Sequence, residues 1–291
     1  RSTMMMSVAP IWDGNETWLI LGTGGLLAMF PFAYAIVLPA LYLPFILMLL
    51  GLIFRGIAFE FRFKSNRSRR IWDRSFLIGS VIATFMQGIV LGAFVQGFPM
   101  EGSRYAGGAF DWLTPFGVLT GLALIAGYAL LGSTWTIIKA PGALETWARG
   151  VSKRLLFVVL AAIALISAWV PFMENRISER WFSLPNFYFL SQVPLLTIVS
   201  GYLHWRATTH GWRVAPFVLT MVLFTLGYVG LGISLWPYIV PHEMPYWEAA
   251  ADPSSQLFLL IGTLITLPFV LLYFGYAYYV FRGKVTRDLV Y

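Results

Sequence analysis

Eight long apolar segments run through this chain, and the short polar loops joining them alternate between basic and acidic. A bilayer core about 30 Å thick is crossed by roughly 20 apolar residues at about 1.5 Å each, so 291 residues suffice for eight crossings with short connections. Hydrophobic residues make up 58% of the chain and charged ones 11%, whereas a soluble domain carries about a quarter charged. A water-soluble core has no use for so much apolar surface. The expectation is a single integral membrane domain over 1–291, with little left for an extramembrane domain. With no cysteine, thiolate metal sites, iron–sulfur clusters and disulfides within the chain are excluded.

The spans are read as Glu16 to Leu38, Ala40 to Phe61, Ser75 to Phe98, Leu113 to Ile138, Arg154 to Met173, Asn186 to Trp205, Val214 to Tyr238, and Gln256 to Phe281. Lipid offers no partner for backbone N–H and C=O groups, and the even apolar texture lacks the alternation of a barrel strand, so these are predicted helices. The fold class is all-α: a polytopic membrane bundle with eight transmembrane helices. Merging the first two segments would make one impossibly long crossing. The tight turn is therefore expected near Pro39, with Pro31 as an internal kink.

Lysine and arginine set orientation. The loops after the even-numbered spans carry Arg62, Lys64, Arg67, Arg69, Arg70 and Arg74; then Lys139, Arg149, Lys153 and Arg154; then Arg206 and Arg213; and finally Arg282, Lys284 and Arg287. The opposite loops hold only Arg104, Arg176 and Arg180 against seven acids. The basic loops and both termini are expected in the cytoplasm. The net charge of +7 thus reflects topology and contact with anionic lipid, and nucleic-acid binding is rejected. Trp12, Trp18, Trp72, Trp112, Trp147, Trp181, Trp205, Trp212, Trp236 and Trp247 lie near span ends, the usual level for interface anchors.

Polar residues that anchoring does not explain gather in the first hairpin. Trp12-Asp13-Gly14-Asn15-Glu16-Thr17-Trp18 opens the first span, and Phe54-Arg55-Gly56-Ile57-Ala58-Phe59-Glu60-Phe61-Arg62 closes the second. A turn near Pro39 puts Arg62 level with Glu16, Glu60 level with Trp18, and Arg55 deeper, near Thr23. Arg55 can then reach Glu16 or Asp13 with its long stem. Ionisable groups at membrane depth are usually paired and often mark proton or ion paths, which makes Asp13 a proton-path candidate. The plainer reading is that Asp13 and Asn15 cap the first helix, Glu16 supports its positive end, and Trp12, Glu60 and the arginines anchor and pair.

These two strings, with the Gly-rich span after the first, Leu41-Tyr42-Leu43-Pro44 and the closing Tyr279-Val280-Phe281-Arg282-Gly283-Lys284-Val285, resemble subunit II of cytochrome bd-type quinol oxidases along the whole chain. The run from Phe85-Met86-Gln87-Gly88 to Gln96-Gly97, and Gly127-Tyr128-Ala129-Leu130-Leu131-Gly132-Ser133-Thr134-Trp135, look more like the cyanide-insensitive branch. The resemblance implies a respiratory complex of the bacterial inner membrane that oxidises quinol and reduces dioxygen to water with cytoplasmic protons. Haem b and haem d would belong to the partner, subunit I, and the acid of the cytoplasmic route would be Asp13. It also implies contact with membrane lipid and quinone, and a small accessory subunit as a further partner. Family members usually have another apolar helix ahead of the Trp-Asp-Gly-Asn string; this sequence opens at Arg1-Ser2-Thr3-Met4, already inside the following loop, so the expectation is a chain without that first helix.

No metal or haem ligand is expected here. His204, His210 and His242 sit at span ends or loops and are read as solvated or interfacial, and Met29, Met48, Met86 and Met221 as packing residues. Gly22, Gly24 and Gly25, Gly227, Gly230 and Gly232, and the pair Gly88 and Gly92 are expected at close helix crossings. Apolar grooves between helices are candidate seats for a structural quinone or lipid tail. Two other functions stay open: a secondary transporter, although its polar groups would gather at midplane breaks in two related halves, and a scaffold subunit without a proton role.

Overall fold

The computed structural model describes residues 1–64, 67–102 and 104–285, apart from the side chain of Asn15. Arg287, counted above among the basic residues, lies outside the described residues. The helices are α1 (Ser2–Val8), α2 (Trp12–Met29), α3 (Pro31–Lys64), α4 (Arg69–Gln96), α5 (Pro115–Lys139), α6 (Ala143–Trp169, extended by a 3-10 turn over Val170–Phe172), α7 (Asn175–Phe182), α8 (Asn186–Leu190), α9 (Gln192–Thr209), α10 (Ala215–Leu235), α11 (Tyr246–Ala249) and α12 (Pro253–Val280). Two small antiparallel hairpins, β1 (Met100–Glu101) with β2 (Arg104–Tyr105) and β3 (Tyr238–Val240) with β4 (Met244–Pro245), close loops at one end.

The class is all-α, as expected, but the count differs. Among the described residues, six helices are long and apolar enough to cross a membrane: α3, α4, α5, α6 with its 3-10 turn, α10 and α12. A seventh crossing is available if α7 and the α8–α9 run, bent by 83° against each other, count as one broken span. The first expected span falls short because α2 spends its opening turn on Asp13, Asn15 and Glu16 and stops at Met29. The turn also lies elsewhere. It sits at Phe30, and Pro31 begins α3 rather than kinking a helix; with φ already fixed and no N–H to satisfy, proline suits a helix start. Pro39 stays inside α3, and the bend it favours falls at Leu41 (φ −118°, ψ 15°).

Burial explains why the chain continues through Pro39. Ala33, Ile36, Val37, Ala40 and Leu41 form the main core with Ile89, Ala93, Phe98, Trp112, Val240 and Ala249. Trp112 is thus a core residue, not an interface anchor: its indole N–H donates to Ala109 O at 2.8 Å, and only 7% of the residue is exposed.

Helices α3 to α6 pack each on the next, and the α9–α10 hairpin rests on α5 and α6. Glycine sets how closely they approach. A Cβ on Gly51 would lie 2.7 Å from Gly79 O, one on Gly88 would lie 2.6 Å from Gly121 Cα, and one on Gly92 would lie 2.2 Å from Thr120 Oγ1. Thr120 uses the proximity to bond Gly88 O across the crossing at 2.8 Å. The other glycines do not pack as expected. A Cβ on Gly22, Gly24, Gly25, Gly227 or Gly232 would meet no other part of the chain within 4 Å, and one on Gly230 only Val193 at 3.9 Å.

Candidate functional site

The polar strings of α2 and α3 come together at the end of the bundle where the basic loops meet. Arg55 Nη2 bonds Glu16 Oε1, with both side chains about one quarter exposed. One turn further out, Trp12 stacks on Phe59 with ring centroids 5.3 Å apart, and its ring edge lies against Gly56. Glu16 with Arg55 and Trp12 with Phe59 are both offsets that follow from a turn earlier than Pro39. Arg55 therefore sits level with Glu16 rather than Thr23, and Arg62 lies beyond the start of α2.

Arg62 consequently has a different partner from the one its register with Glu16 suggested. Its Nε bonds Asp73 Oδ1 on α4 at 2.5 Å, and Nη2 donates to Ser2 Oγ on α1 at 3.2 Å. The side chain is only 3% exposed, and Nη1 is buried with no hydrogen-bond partner among the described residues. Arg1 approaches the other oxygen of Asp73 at 3.5 Å. A buried guanidinium needs such a counter-charge, since removing one member of a buried pair strands the other. Glu60 stands apart, 3.7 Å from Lys64 on the same helix and exposed, a pairing that contributes little. Asp73 and Ser2 were missed from the sequence. A signal existed, for Asp73 is the only acid between Glu60 and Glu101 and sits within the most basic loop.

Asp13 lies in the first turn of α2, where its charge opposes the positive end of the helix dipole, but it does not cap that helix. The N-cap residue is Ile11, without a side-chain bond. The Asp13 carboxylate is exposed and has neither hydrogen bond nor ion pair among the described residues. Beside it, Gly14 admits the Phe274 ring of α12: a Cβ there would lie 2.3 Å from the ring. The Gly of the Trp-Asp-Gly-Asn string is thus the seat of the last helix.

A second polar knot joins the same end of the bundle. Lys139 Nζ donates to Phe281 O and Gly283 O, and Lys284 Nζ lies 3.0 Å from Glu145 Oε2. Arg149 bonds Glu145 Oε1 at 2.8 Å and donates to Gly211 O and Trp212 O at 2.9 and 3.0 Å, satisfying carbonyls just past the end of α9.

One histidine departs from expectation. His204 is fully buried rather than interfacial, because α10 packs over the last turns of α9. The Thr220 hydroxyl donates to Pro216 O at 2.8 Å, so it accepts from His204 Nε2, 3.1 Å away, while Nδ1 faces Thr208 Oγ1 at 3.5 Å. With both ring nitrogens engaged, His204 does not fit an axial haem ligand. His242 is 3.2 Å from Val95 O, and His210 Nδ1 is 2.9 Å from Arg206 O. Among the described residues no group of three His, Cys, Asp or Glu side chains is arranged to hold a metal.

Comparison with known proteins covers the chain nearly end to end. Residues 1–281 match the family model described as cytochrome bd terminal oxidase subunit II. Similar proteins include cytochrome bd-I ubiquinol oxidase subunit 2 of Escherichia coli (strain K12) and cytochrome bd ubiquinol oxidase subunit 2 of Bacillus subtilis (strain 168). Each is 28% identical over 99% of this chain and 86% of its own length. A probable cytochrome oxidase subunit 2 of Haemophilus influenzae is 24% identical over 100% of this chain and 86% of its own. With the two polar strings in place on consecutive helices and the match running the length of the bundle, the chain belongs to the cytochrome bd terminal oxidase subunit II family.

Proposed function

We propose that this chain is the haem-free subunit of a bd-type quinol oxidase in the bacterial inner membrane, and that it feeds cytoplasmic protons to the complex through Asp13. The partner, subunit I, would carry haem b and haem d and supply the oxygen-reducing chemistry; the residues of this chain position a proton mouth beside it. Both termini would face the cytoplasm, and α2 and α9 would each cross to complete eight spans.

The observation that carries this reading is the contrast between two acids one turn apart. Glu16 is spent on Arg55, which holds α2 on α3. Asp13 is left without a partner among the described residues, on a face of α2 that continues through exposed Thr17, Ile20 and Gly24. A carboxylate at that position can take a proton from cytoplasmic water and release it along the uncovered face, where subunit I would dock. The Glu16–Arg55 pair keeps that face in register. The groove of about 370 Å³ beneath α1, walled by Met5, Val8, Phe76, Trp135 and Leu155, is an apolar seat of the kind a structural quinone or lipid tail requires.

The test is Asp13→Asn in the assembled oxidase, which keeps the shape and removes the titrating proton. Turnover should fall about a hundredfold or more, in the range seen when a proton-transfer group is lost, with subunit ratio and haem spectrum unchanged. Full turnover would leave the chain a scaffold. Topology is checked separately: the chain has no cysteine, so single cysteines at Arg70 and Glu248 should label from opposite sides of the membrane.

A further inference from the structure

At the end of the bundle opposite the basic loops, α7 lies across the ends of α6 and α10. Its apolar side is fixed inward, with Ile177 and Trp181 packed against Val170, Leu231 and Leu235. Its polar side forms one wall of a basin of about 530 Å³, and the other wall is the turn from Ser234 into the first residue of β3. Four charged side chains line it: Glu174, Arg176, Glu179 and Arg180.

These charges cancel, and they are not equally free. Arg180 is committed to the end of α10, donating to Ile233 O at 2.7 Å and to Trp236 O. Arg176 is 61% exposed and leans over the Tyr238 ring, its guanidinium carbon 5.6 Å from the centroid. Its Nη1 donates to the Tyr238 hydroxyl at 2.6 Å, which leaves the hydroxyl proton free for an acceptor. Glu174 lies 3.8 Å from Arg176 Nε, and the exposed Glu179 carboxylate has no partner among the described residues. A simple anion here would meet two carboxylates, and a simple cation two guanidiniums; a ligand carrying both charges meets neither conflict. Phe172 and Leu184, which flank α7 in sequence, are 88% and 70% exposed.

We propose that this basin binds the headgroup of a zwitterionic, amine-bearing phospholipid. The phosphate rests on Arg176 and the Tyr238 hydroxyl, the ammonium lies between Glu174 and Glu179, and the chains run down the exposed apolar sides of the helices below. Two-point recognition of this kind selects phosphatidylethanolamine over phosphatidylglycerol, which has the phosphate and lacks the amine.

The complete two-subunit oxidase, stripped of lipid and reloaded with either phospholipid, reports this by native mass spectrometry of retained lipid. The wild type should retain one more phosphatidylethanolamine than Arg176→Gln, whose affinity should drop by about tenfold, the effect of one charge-assisted hydrogen bond. Glu174→Gln with Glu179→Gln should retain lipid but no longer distinguish the two headgroups. Equal retention of both lipids by the wild type, or unchanged retention in both variants, overturns the proposal. Displacement of the lipid by millimolar inorganic phosphate also overturns it, since the basin would then be a site for a free anion.

Discussion

The same residue type does opposite things in two parts of this bundle. In α3, α4 and α5, Gly51, Gly79, Gly88, Gly92, Gly117 and Gly121 bring backbones so close that a methyl group has no room at five of them and little at Gly117. In α2 and α12, Gly22, Gly24, Gly25, Gly262 and Gly275 face open space. The last helix has no buried residue at all; it is held by Gly14 against Phe274, by Ala251 N bonding Met29 O at 2.8 Å, and by the lysine knot at its far end. Lipid tails are as apolar as leucine, so helices in a membrane gain little by merely touching. The close glycine crossings show where this chain completes its own packing. The open glycine face of α2 shows where it does not, and that is the helix carrying Asp13.

Gly88→Val should therefore have the largest effect. Its new atoms meet backbone that can yield only by separating α4 from α5, at a cost of about 3 kcal/mol or more, read as loss of purifiable complex or a large fall in Tm. Gly24→Val is the control. If it lowers the Tm of the assembled oxidase as much, the face is packed after all, and a selective loss of subunit I on purification would identify what covers it.

Asp73→Asn comes next, because it strands the buried Arg62 guanidinium at about 3 kcal/mol, whereas Glu60→Gln should change stability by less than about 0.5 kcal/mol. Equal effects in thermal unfolding would erase the distinction between the buried and the surface pair. Gly14→Ala is smaller still, about 1–2 kcal/mol as an overpacked site, since an aromatic ring can tilt away. Its signature is easier proteolysis at the end of α12, with α3 to α6 intact.

The smallest effect is a pH dependence at the start of α12. Asp252 caps that helix, accepting from Ser254 N at 2.9 Å and from the Ser254 hydroxyl, and these bonds hold its carboxyl below the usual aspartate range. A lowered value means that the cap's contribution is complete above about pH 4, the ordinary aspartate value, and is lost as pH falls through the folded value. Asp252→Asn, which keeps a capping oxygen, should flatten that acid limb of amide exchange at Ser254 to Gln256.

Much of the site was legible in advance because it is written in short strings. Asp13, Glu16 and Arg55 stand out from residue type and membrane depth, and the helices that carry them lie side by side. The partner of Arg62 is not legible, because the observed pairs Glu16–Arg55 and Trp12–Phe59 are displaced by seven residues from the register that a turn at Pro39 would give. Nothing within either helix reports that shift. The burial of His204 is hidden for a similar reason: its place near a span end is a local property, while its cover is provided by α10.

Composition and the order of charged and apolar residues thus determined, unaided, that this protein is a helical membrane protein with its basic loops gathered at one end, and the polar strings marked its family. Those properties are sums over neighbouring residues. Which glycines touch, which acid neutralises Arg62, where the first hairpin turns and which helix remains uncovered were decided only by tertiary structure. They depend on the rotation and offset of helices distant in sequence, and packing between whole surfaces sets both.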